Sequence, residues 1–108
     1  MNKKLKFSSN LVPLILNGEK TVTWRLWDDK DLKDGNIIDM FDIKTGKQFA
    51  RAKILKVSEK PMGNLTNEDR DGHEKYNSDE EMYQTYIKYY QQEVNPKTLV
   101  KVILFELC

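Results

Sequence analysis

Apolar residues come along this chain in short bursts whose spacing switches between two and about 3.6 residues, the periods of strands and helices. Leu5-Lys6-Phe7, after a lysine-rich start, predicts a short first strand. Ser8-Ser9-Asn10 supplies capping side chains ahead of Leu11, Val12, Leu14, Ile15 and Leu16, so residues 10–17 are expected to form a short buried helix. Pro13 is tolerated in a first helical turn, and Gly18 stands where a helix-ending glycine belongs. Residues 20–26 are rich in β-branched and aromatic side chains and predict a second strand.

Residues 28–36 form a polar excursion that ends in the turn signal Asp34-Gly35-Asn36. Residues 37–43 and 48–57 then read as an antiparallel hairpin closed at Lys44-Thr45-Gly46-Lys47. Beyond Pro61 the texture turns acidic, with seven acidic and two basic residues over 67–81. Ser78-Asp79-Glu80-Glu81 has the form of a capping box, with Ser78 as N-cap and Glu81 reaching back. Met82, Tyr83, Tyr86, Ile87 and Tyr90 follow on one helical face, which reads as a core face rather than an aromatic binding platform. Asn95-Pro96 stops that helix, and residues 99–107 predict a last strand covered on both faces.

The order β-α-β-β-β-α-β, with strands joined mostly through turns, predicts an α+β fold. It is expected to be a small, largely antiparallel sheet curled toward a barrel, with helices at its ends. The 108 residues fit one domain, 1–108, with one core and no linker. Composition adds an asymmetry hidden by a net charge of +1: residues 1–60 carry 13 Lys/Arg against 8 Asp/Glu, residues 61–108 carry 5 against 9. The first half therefore suits an anionic partner, or is simply solvated charge. The single cysteine, Cys108, excludes an internal disulfide and a Cys-based zinc site. With no secretory pattern and no apolar run of about 18 residues, the expected setting is the cytoplasm, with no membrane partner.

Candidate chemistry concentrates in Lys20-Thr21-Val22-Thr23-Trp24-Arg25. On a strand, Thr21, Thr23 and Arg25 share a polar face, while Val22, Trp24 and Leu26 take an apolar one. Lys20 has the wrong parity but stands at the strand entrance, where its long stem can still bring the amine over Thr23. An arginine holds a carbonyl, carboxylate or phosphate through parallel hydrogen bonds. A lysine becomes a general base when burial or a second cation lowers its pKa, and a threonine hydroxyl becomes a nucleophile when such a base takes its proton. The same residues also fit an ordinary solvent-facing strand. His73 is the sole histidine, so no His pair is available for zinc; between Gly72 and Glu74 it reads as a loop residue before it reads as a base. Trp24 is expected in the core, and Trp27 is left open between the core and an exposed place.

Gly18-Glu19-Lys20-Thr21-Val22-Thr23-Trp24-Arg25, after its short helix, resembles the G-x-K-T-x-T-x-R signature of the ASCH family. The resemblance continues through Lys33-Asp34-Gly35-Asn36, Phe49-Ala50-Arg51-Ala52-Lys53-Ile54, Leu65-Thr66-Asn67-Glu68-Asp69, Gly72-His73-Glu74-Lys75-Tyr76 and the final strand. It implies a PUA-like small curved, mostly antiparallel β-barrel, with a short helix before the signature strand and a longer helix before the last strand. Some bacterial members remove the acetyl group from acetylcytidine nucleosides with a lysine, a threonine and a glutamate. Carried over, these are Lys20, Thr23 and Glu74, with Asp69 and Asp71 as rival carboxylates. Arg25, Thr21 and Trp27 are then the candidate substrate-binding residues. The implied partner is a nucleoside or modified RNA, and no metal or cofactor is implied. Two functions stand side by side: an N4-acylcytidine amidohydrolase, and a non-catalytic RNA-binding module, with a ribonuclease behind them.

Overall fold

The longest strand carries the architecture. The computed structural model describes residues 2–108. In it Gln48–Pro61 (β4) runs through the middle of a five-stranded sheet, pairing with Ile37–Asp42 (β3) on one side and Leu99–Leu107 (β5) on the other. Lys3–Phe7 (β1) extends the sheet beyond β3 and Val22–Leu26 (β2) extends it beyond β5, giving the order β1-β3-β4-β5-β2. Three of the four pairings are antiparallel, and β1 with β3 is parallel. Register shifts near Met40 and Ile54 bend the ribbon, as bulges do. The result is a curled half-barrel whose two edges, β1 and β2, are the first two strands of the chain.

Val12–Leu16 (α1) and a preceding 3-10 turn, Ser9–Leu11, connect these edge strands; Asn67–Arg70 (α2) and Asp79–Tyr90 (α3) lie between β4 and β5. The α1 region differs from expectation. Only Ile15 is buried, while Leu16 is 53 % exposed, because five helical residues present one core position per turn. Gly18, at φ +85°, reverses the chain into Lys20. The second strand begins at Val22, two residues later than its propensity suggests, and β4 runs on past Val57 to Pro61 because β5 pairs with it as far as Leu99.

The capping box also differs. Ser78 Oγ accepts from the Glu81 amide, but the Glu81 carboxylate bonds Asn77 instead of closing the box on Ser78. The complete box is at α2, where Thr66 and Asp69 satisfy each other's backbone amides.

Two apolar clusters sit on opposite faces of the curled sheet. One gathers Leu5, Ile15, Ile38, Met40, Ile54 and Phe105 inside the curl; the other gathers Val22, Trp24, Leu26, Met82, Tyr86 and Val102 under α3. Strand β5 feeds both, Val100 and Val102 one way and Ile103 and Phe105 the other, which is why its apolar run lacks clean alternation. The stripe on α3 is a core face: Met82 and Tyr86 are buried, with Tyr83, Ile87 and Tyr90 packed beside them.

Candidate functional site

The parity of β2 places the site. Val22, Trp24 and Leu26 pack under α3, so Thr23, which pairs with Ile103, and Arg25 turn toward the inside of the curl. There the two sheet edges approach without pairing, and Arg25 spans the gap. Its Nη2 donates to Lys6 O across the seam at 2.8 Å, its Nε donates to Thr23 Oγ1 at 3.3 Å, and its guanidinium lies 4.6 Å over the Phe7 ring. The seam opens into a cleft of about 270 Å³. Lys20, Thr23, Arg25 and Glu74 line it, with Tyr89 and Ile43 at an exposed rim.

Lys20 enters this cleft because the chain is pinned before and after it. Its amide donates to Leu14 O, and the next residue, Thr21, donates from its own amide to Gly72 O. The Lys20 ammonium donates to Val22 O at 2.7 Å and to Glu74 Oε2 at 2.5 Å. Its side chain is 2 % exposed and that of Glu74 24 %. Burial pushes the Lys20 pKa below its ordinary value and the Arg25 cation adds to this, while Glu74 pulls it back up. Burial acts to raise the Glu74 pKa, yet the neighbouring Lys20 and His73 hold it below the usual carboxylate value. The resting pair is therefore ammonium and carboxylate.

Among the described residues no hydrogen bond joins Lys20 to Thr23: the lysine is taken by Glu74 and Val22, and Thr23 Oγ1 by Arg25. Of the three carboxylates considered, Glu74 alone meets Lys20. Asp69 closes the α2 cap and pairs with Lys60 at 2.7 Å, and Asp71 lines a neighbouring cavity of about 520 Å³ on the far side of Trp24 and Glu74. Thr21 packs against Gly72 rather than lining the cleft. Trp27, 52 % exposed, lies edge-on to Tyr90 outside it.

His73 is a loop residue, as expected, but a buried one. Its ring stacks on Trp24 at 3.7 Å, Nδ1 lies 3.0 Å from Glu74 O, and Nε2 lies 3.2 Å from the Tyr86 hydroxyl. Burial first, then the Lys20 cation, lowers its pKa to about 4, so the imidazole is neutral near pH 7. Its structural place, with that of Tyr89 and Ile43 at the rim, was not marked by any local pattern in the sequence. Among the described residues no three His, Cys, Asp or Glu side chains are grouped to hold a metal ion, and no helix is long and apolar enough to cross a membrane.

No family model and no curated protein matches the chain. Solved structures do. Protein EF3133 from Enterococcus faecalis superposes with a TM-score of 0.80 at 23 % identity, over 99 % of this chain and 80 % of that one. The hypothetical protein PH0355 does so with a TM-score of 0.77 at 25 % identity over the whole of both chains. The ASCH domain from Lactobacillus crispatus matches with a TM-score of 0.69 at 16 % identity, covering 91 % of this chain and 70 % of that domain. The chain thus has an ASCH-like, α+β curled-sheet fold.

Proposed function

Starting from an ASCH-like fold, we propose that this protein is an amidohydrolase that removes the acyl group from an N4-acylated cytidine nucleoside at the Lys20–Glu74 cleft. The observation that carries the reading is a lysine buried to 2 % side-chain exposure, paired to a carboxylate beside a buried threonine hydroxyl at the floor of an open cleft. A fold pays to bury an ammonium, and such perturbed groups in clefts mark chemistry.

The acylated base enters from the rim between Tyr89 and Ile43, with its amide carbonyl toward Arg25. Substrate displaces water from the half-buried Glu74. In the drier site the Lys20 proton moves to the carboxylate, leaving a neutral amine and a neutral acid. The amine then takes the proton of Thr23 Oγ1, or of a water, as that oxygen forms a bond to the acyl carbon. Arg25, already donating to Thr23 Oγ1, lowers the energy of the developing oxyanion. The protonated Glu74 gives its proton to the N4 nitrogen as the C–N bond breaks, releasing cytidine. On the threonine route the Lys20 proton passes to Glu74 once more, the amine takes a proton from water as the water oxygen attacks the ester carbon, and Glu74 returns its proton to Thr23 Oγ1 as the carboxylic acid leaves. Thr21 and Trp27 act from outside the cleft, Thr21 through the Gly72 loop and Trp27 as an exposed face for a larger substrate.

The test is incubation of the pure protein with N4-acetylcytidine, following cytidine by chromatography beside Lys20→Ala. Cytidine released by the wild type and lost in the variant is the expected result. No turnover from a protein whose circular dichroism is that of a folded α+β domain would sink the reading. A non-catalytic RNA-binding module is the second reading, favoured by Lys6, Arg25 and the exposed Tyr89 side by side at the cleft. Binding of single-stranded RNA that weakens steeply with salt is its signature.

A further inference from the structure

Glu74 reaches Lys20 from a loop 54 residues away in sequence, and that loop has little regular structure to hold it. Three contacts tie this loop and the preceding α2 to β2 and to Thr21 just before it. The Thr21 amide donates to Gly72 O at 2.9 Å, Trp24 Nε1 donates to Asp69 O at 3.1 Å, and the His73 ring lies flat on Trp24 with an interplanar angle of 15°. Of these residues, His73 also bonds Glu74 itself.

Both groups that face His73 Nδ1 belong to Glu74: the backbone carbonyl at 3.0 Å and carboxylate Oε2 at 3.4 Å. A carbonyl oxygen and an ionised carboxylate can only accept, so the ring proton must be on Nδ1. Nε2 is then a bare lone pair, and Tyr86, whose hydroxyl lies 3.2 Å away, donates to it. The two bonds fix the ring from both sides, and the Trp24 stack fixes its plane.

We propose that His73 is a positioning residue: as the neutral Nδ1–H tautomer, clamped between Trp24 and Tyr86, it holds the backbone of Glu74 so that the carboxylate meets Lys20. It is no base and exchanges no proton with the substrate. The Nδ1 proton is already committed to Glu74, and the Nε2 lone pair is committed to Tyr86. The proposal rests on Lys20–Glu74 being the working pair, but its test needs no turnover, so a failed deacylation assay and a failed test remain separate results.

Two measurements on the full chain carry the test. The nitrogen-15 spectrum of labelled histidine reports the tautomer directly, and the proton is expected on Nδ1, the minority form of free imidazole. Titration of the Lys20 ammonium by NMR reports the ion pair in wild type, Glu74→Gln, His73→Asn and His73→Phe. Asparagine places an amide N–H close to the position of Nδ1, whereas phenylalanine keeps the stack and loses both hydrogen bonds. The expected pattern is a wild-type midpoint in His73→Asn and a downward shift in His73→Phe toward that of Glu74→Gln, since removing the carboxylate contact leaves burial to act alone. A proton on Nε2, or a His73→Phe midpoint equal to wild type, overturns the proposal. Should His73→Phe fail to fold, the tautomer and His73→Asn decide it: a midpoint in that variant moved to the Glu74→Gln value counts against it.

Discussion

In Gly72→Ala the added methyl carbon would meet Thr21 Oγ1 at 2.0 Å and Thr21 Cβ at 3.3 Å, on a backbone already at φ +79°. Thr21 must rotate or the loop must lift, and overpacking of that kind costs about 1–3 kcal/mol. The left-handed backbone adds about 1 kcal/mol for any residue that carries a Cβ. Gly46→Ala separates the two effects, because Gly46 sits at φ +72° with nothing within 4 Å of the new methyl. It should therefore lose only about 1 kcal/mol, against about 2–4 kcal/mol for Gly72→Ala.

Urea unfolding followed by circular dichroism reads the difference. At about 1–3 kcal/mol per molar urea, the Gly72→Ala midpoint should fall roughly 1 M below that of Gly46→Ala. Adding Thr21→Ala removes Oγ1 while sparing the backbone bond from residue 21 to Gly72 O, and should recover part of the loss. Equal midpoints for the two glycine variants, or no recovery in the double variant, would refute the contact argument. Because the same loop delivers Glu74, Gly72→Ala should also depress deacylation although every cleft side chain is intact.

Lys20→Met replaces a desolvated ammonium with an apolar chain of similar length. It should leave stability within about 2 kcal/mol of wild type while abolishing cytidine release; retained turnover would remove Lys20 from the reaction. Glu74→Gln leaves a lysine of 2 % side-chain exposure without its counter-charge. A loss of about 1–3 kcal/mol in urea unfolding at pH 7 is expected, kept modest because the lysine can shed its proton. For His73, the native pKa of about 4 lies below the ordinary 6.5, so between those values the unfolded chain binds a proton that the native chain does not. Stability therefore rises with pH there, by about 2 kcal/mol from pH 5 to 7, above the range where most carboxylates titrate. Urea midpoints across that interval should climb in wild type and flatten in His73→Asn; a flat wild-type curve would show that the imidazole is not held neutral.

What could be read from the sequence was whatever is encoded within a few residues. The polar parity of Thr23 and Arg25, the apolar parity of Val22, Trp24 and Leu26, and the hairpin of β3 with β4 all depend on neighbours along the chain. The partner of Lys20 does not. Three carboxylates lay within reach of the same loop, and what separates them is that Asp69 is consumed by the Thr66 cap and Lys60, a fact of packing. The cap itself was obscured because aspartate, not glutamate or glutamine, stands at its third position. His73 between a glycine and a glutamate read simply as a loop residue; its burial comes from Trp24 and Tyr86, on elements distant in sequence.

The cleft follows from how the sheet ends. Curling five strands brings the edges β1 and β2 together, and among the described residues no backbone ladder closes the seam between them. One side-chain bond, Arg25 to Lys6 O, bridges it instead. A seam closed by backbone pairing would have packed Thr23 and Lys20 into a dry core, where an ammonium is costly. A seam left fully open would have let water hydrate the lysine and restore its ordinary basicity. Arg25 sets the intermediate case: it spans the edges, places a second cation near Lys20, and leaves the cleft open beside Thr23.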